Sequence, residues 1–79
     1  MLNRTTSEGK IAEFRKDNTP VGSIGVIGGG DLYIASLDSG HEGLRFGNGA
    51  IVPVNSAGAS TDNACNLGGA TGRFSDLFL

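Results

Sequence analysis

The chain has 79 residues, a formal net charge of −2, 14 glycines, four phenylalanines, one tyrosine, one cysteine and no tryptophan. That length allows a single domain, the lone Cys65 excludes an internal disulfide, and dispersed basic residues on a net-acidic chain argue against nucleic acid as a partner. No apolar run approaches the roughly 20 residues of a membrane-spanning helix, and no charged-then-apolar signal pattern opens the chain.

Residues 1–9 are mostly polar and read as a lead-in. The segment 10–16 suits a strand, with Ala12 and Phe14 on one face and Ile11 on the other beside Glu13 and Arg15; its shortness leaves a helix as the rival reading. Asp17-Asn18-Thr19-Pro20 is a turn, because Asp and Asn side chains bond back to the backbone and proline presets its own φ. A second arm at 21–27 then closes a hairpin, with Gly22, Ile24 and Val26 on one face and Gly22 and Gly25 permitting close approach of another backbone. Gly28-Gly29-Gly30 turns the chain into a third strand carrying Leu32 and Ile34 on one face and Tyr33 on the other. A fourth strand places Leu44 and Phe46 together. Gly47-Asn48-Gly49 then favours a turn with positive φ into Ala50–Val54, where Pro53 requires an edge position or an exchange of partners. These strand-sized runs, bounded by turn residues, predict an all-β meander over 10–54. Residues 55–66, small and polar, follow as a loop or linker, and 67–79 as a C-terminal segment ending in the apolar Leu77-Phe78-Leu79. That ending suggests a chain that continues, or an end buried in a partner.

So few large apolar side chains make a weak core for a chain of this size, which buries only about 60% of its unfolded surface. With no disulfide and no Cys/His cluster for zinc, self-association or contact with a larger parent protein is the expected source of the missing core. The residues expected there are Phe14, Ile24, Val26, Leu32, Ile34, Leu44, Phe46, Val52, Val54, Leu67, Phe74 and Leu77.

Signals for chemistry are sparse. His41 lies between Gly40 and Glu42 and reads as a solvated loop residue, although three copies about an axis would suit a transition metal or a pH-sensitive contact. Asp31, Asp38 and Glu42 are the carboxylates a glycosidic cleavage would draw on, but nothing in the sequence raises the pKa of one of them. The triple glycine lacks the Lys-Ser or Lys-Thr of a phosphate cradle, no serine occupies a nucleophile elbow, and Cys65 has no activating neighbour. Asn3-Arg4-Thr5 matches a glycosylation acceptor, a pattern common by chance. Tyr33, with Arg45 and Asn48, is the candidate glycan contact, since a tyrosine ring stacks on a sugar face while arginine and asparagine supply hydrogen bonds. The residues therefore point to a non-catalytic protein with no cofactor and no metal.

Five stretches in order carry a resemblance: Asn3 through Asp17, Val21-Gly22-Ser23-Ile24-Gly25, Asp31-Leu32-Tyr33-Ile34 with Gly43-Leu44-Arg45-Phe46, Ile51-Val52-Pro53-Val54, and Asn66 through Leu79. Together they resemble the distal β-rich segment of bacteriophage and prophage tail-fibre proteins, upstream of a C-terminal region that assists trimerisation or acts as a self-cleaving chaperone. The resemblance implies an interdigitated homotrimer in the virion tail, made in the bacterial host cytoplasm, that serves attachment to a bacterial surface glycan or protein receptor. It carries over no receptor residue, because the matching motifs are structural. A monomeric carbohydrate-binding β-sandwich and a fragment of a polysaccharide-degrading tailspike are the alternatives; the first would need more aromatic residues than this chain has.

Overall fold

The computed structural model describes all 79 residues. Five strands run in chain order, β1 (Gly9–Lys16), β2 (Thr19–Ile27), β3 (Asp31–Ser36), β4 (Gly43–Phe46) and β5 (Ile51–Val54). Each pairs antiparallel with the next, giving one open sheet of order β1-β2-β3-β4-β5. The chain is all-β as expected, and the helix considered for 10–16 is not formed. No helix is long and apolar enough to cross a membrane.

The connections follow from turn chemistry. β1 and β2 are joined by Asp17 and Asn18, both at positive φ (50° and 62°), the backbone of a two-residue turn whose twist matches the strands it joins. Gly49 supplies the positive φ between β4 and β5. Pro53 faces Leu44 on β4, and its carbonyl accepts from the Thr61 N–H (3.0 Å) on the opposite side. The missing proline N–H therefore falls on the outer edge, where the ladder does not need it. In β1 a bulge between Lys10 and Ala12 interrupts the register. It moves Ile11 away from the face shared by Glu13 and into a shallow pocket with Leu2 and Val26, a correction to simple alternation.

The two faces of the sheet differ sharply. On one, Tyr33, Ala35 and Val54 form the chain's own core, with Ile27 packed against them. Tyr33 lies opposite Gly25, and the segment after β5 folds back over its ring. Asn55 organises that fold-back: its side-chain oxygen accepts from Ala57 N–H (2.9 Å) and Ala59 N–H (3.1 Å). Gly58, at φ +86°, lies against the ring. Residues 55–61 are thus a built cover, bridged to β5 through Val54 and Ser60, where the sequence suggested a loop or linker.

Close backbone approach occurs at Gly25, but toward the chain itself. A β-carbon there would collide with the Gly9 carbonyl and come within 2.8 Å of the Tyr33 ring. Gly22 has room, since its nearest atom would be the Ala35 carbonyl at 3.6 Å. Gly25→Ala is expected to destabilise the chain by about 1–3 kcal/mol, the usual cost of overpacking, whereas Gly22→Ala leaves the urea midpoint nearly unchanged. Equal midpoints for the two variants would contradict this packing.

Candidate functional site

The opposite face of the sheet is apolar and uncovered. Cross-strand register sets its rows: Phe14, Gly22 and Ser36; Ala12, Ile24, Ile34, Leu44 and Pro53; Val26, Leu32, Phe46 and Ile51. Ser36 is the only polar side chain in these rows. The strand β3 shows the inversion most clearly: Tyr33 is 2% exposed while its neighbours Leu32 and Ile34 are 45% and 48% exposed. Leu32 and Ile34 point away from the chain's own core because successive side chains on a strand alternate, and Tyr33 and Ala35 take the inner face.

Seven of the residues expected to share a core (Phe14, Ile24, Val26, Leu32, Ile34, Leu44 and Phe46) meet on this face. Val52 and Val54 do not. Val52 pairs with Arg45, and Val54 pairs with Gly43 and is fully buried on the Tyr33 side, so both belong to the opposite face. Ile51 and Pro53 take their places, residues missed because all four positions of β5 are apolar and show no alternation. Leu67, Phe74 and Leu77 lie in the C-terminal segment and are exposed. There Leu67, Leu77 and Leu79 join Leu44, Ile51 and Pro53 around an open groove of about 570 Å³. The apolar surface therefore continues from the sheet onto the tail.

The candidate glycan contact is corrected. Tyr33 is enclosed and offers no ring face to a sugar. Arg45 is directly opposite it on β4 and is committed to structure: its Nε donates to Asp31 Oδ2 at 2.8 Å and its Nη1 to Ser60 Oγ at 3.3 Å. Asn48 is exposed in the β4–β5 turn, beyond both.

The carboxylates named for glycosidic cleavage are divided between the two ends of β3. Asp31 is paired with Arg45 at the start of β3. Asp38 and Glu42 lie past its other end, beyond the roughly 17 Å that a six-residue strand spans, so neither stands within the roughly 5–9.5 Å of Asp31 that a glycosidase pair needs. Ser36, His41 and Asp38 do gather, but Ser36 Oγ (3.3 Å) and Asp38 Oδ2 (4.0 Å) both approach the same ring nitrogen, Nδ1. A hydrolytic relay uses the two ring nitrogens for different partners. No three His, Cys, Asp or Glu side chains come together as a metal site. The Gly28-Gly29-Gly30 turn is tied instead to the lead-in, where Gly29 N–H donates to Glu8 Oε2 at 2.6 Å.

Charge is concentrated along the β1 edge. Glu13 accepts from Lys10 Nζ at 2.6 Å and from Arg15 Nε at 2.8 Å. The hydrogen bond from Lys10, then that from Arg15, holds its carboxyl below the ordinary value of 4.5. A lowered folded-state pKa contributes stability that is complete above the unfolded value and is lost as pH falls through the folded one. Glu13→Gln is therefore expected to flatten the acid limb of a stability–pH curve below pH 4.5. Urea midpoints across that limb check this, and an unchanged slope would contradict it.

In comparisons with known proteins, no family model, curated protein or solved structure matches this chain.

Proposed function

We propose that this chain is a non-catalytic structural segment of a trimeric viral tail fibre, carried in the virion tail and engaged in attachment to a bacterial surface glycan or protein. The observation that carries this reading is the open apolar face: seven of the residues expected to share a core stand together on it, and the chain's own termini only border it, leaving Phe14, Leu32, Ile34, Leu44 and Phe46 exposed. The ordered resemblance to tail-fibre segments supports the same reading. A single-chain carbohydrate-binding β-sandwich fits less well, because the chain forms one sheet, not two, and buries its only tyrosine. The test is binding of the fluorescently labelled protein to a panel of bacterial cells and purified surface polysaccharides, alongside native mass spectrometry. A trimer that decorates particular cells supports the proposal. A monomer, or a trimer that releases reducing ends from the polysaccharide, contradicts it.

A further inference from the structure

We infer that copies of this chain dock through the open apolar face of the sheet, each of three copies turning that face toward a common axis with the C-terminal segment extending the contact, and that neither sheet edge takes part by strand addition. This inference names the partner surface for the self-assembly proposed above and rests on it.

Area comes first. The chain exposes 6125 Å², whereas a compact monomer of 8.0 kDa exposes about 4,450 Å². The radius of gyration, 13.8 Å, likewise exceeds the roughly 11.6 Å of a compact chain of this length. The excess surface is roughly 1,700 Å² per chain. Three chains covering that much, shared over three pairwise contacts, give each contact the ~1,200–2,000 Å² of a stable interface.

Composition decides which surface is covered. The three rows of the face carry no charged side chain, and the 570 Å³ groove continues them onto Leu67 and Leu77. An apolar patch of this extent is rare on a protein that stays monomeric. Its natural complement is the same apolar face of the other two copies, the three meeting about one axis.

The edges are closed to strand addition. β1 is interrupted by its bulge and bears Lys10, Glu13, Arg15 and Lys16, devices that discourage pairing with a further strand. The outer edge of β5 is occupied by the chain's own 55–61 segment through the Val54–Ser60 bridge and the Thr61-to-Pro53 hydrogen bond.

The test is site-specific cross-linking. In a Cys65→Ser background, one cysteine is placed at the centre of the face (Ile34→Cys) or at the β1 edge (Lys16→Cys), and each protein is treated with a short bismaleimide. Circular dichroism and light scattering establish that each variant keeps the fold and mass of the parent. Covalent linkage of most Ile34→Cys chains, with Lys16→Cys chains left unlinked, is the expected result. An oligomer in which Ile34→Cys stays unlinked overturns face docking while leaving self-association standing. A parent chain that is monomeric at every concentration overturns both.

Discussion

Replacing Phe46 by aspartate is expected to leave a folded monomer. Phe46 sits between Leu32 and Ile51 in a cross-strand row and is 39% exposed, so its outer surface is available to a partner while its loss removes little from the chain's own core. In an assembly the substitution forfeits the burial of an aromatic side chain, worth about 1.5–3 kcal/mol when complete. It also forces a carboxylate out of water, at an effective cost of several kcal/mol. Every copy carries the change. Even 4 kcal/mol per contact weakens association by roughly a thousandfold. Sedimentation velocity should show the mass falling to that of one chain while the far-ultraviolet spectrum keeps its β signature. A variant with unchanged mass and spectrum would remove Phe46, and the face it centres, from the interface.

Tyr33→Ala acts on the other side of the sheet and is expected to unfold the chain or bring it close to unfolding. The ring lies over Gly25 and under Gly58, each close enough that a β-carbon would come within 2.8 Å of it. Only Ala35 and Val54 accompany it as buried hydrophobic residues. Removing a large buried aromatic side chain costs about 3–5 kcal/mol, against a total of about 5–15 kcal/mol for ordinary domains and less for a chain with so small a core. Urea denaturation checks this. Tyr33→Phe, which keeps the ring, should retain most of the stability. A Tyr33→Ala protein that folds normally and loses only glycan binding would restore the surface role that burial argues against.

The strands were legible because they alternate or are punctuated. Asp17-Asn18 marks the first hairpin, and Leu32-Tyr33-Ile34 shows its two faces directly, so the residues sharing the apolar face on β2, β3 and β4 follow from alternation, whereas strand order and cross-strand register, which alternation does not encode, come from the structure. Ile51-Val52-Pro53-Val54 hides its parity, since every position is apolar: Val54 is buried in the chain's own core, while Ile51 and Pro53 share the open face. A bulge inserts one residue without a clear sequence mark, which is why Ile11 was placed on the wrong side. The fold-back of 55–61 depends on Asn55 accepting two backbone N–H groups and on the positive φ of Gly58. In a run of small polar residues those contacts look no different from a spacer. Tyr33 was misread for a related reason: an amphipathic ring among glycines suits a sugar or a glycine-lined core equally well, and only the distant Gly58 distinguishes them.

The most direct measurement is the solution mass by size exclusion with light scattering across a dilution series. Covering the apolar face with copies of itself predicts a stable species of about 24 kDa, three times the 8.0 kDa chain, dissociating only at high dilution if at all. A folded 8 kDa species at every concentration would contradict it, because the unaltered apolar face would then recruit no second copy.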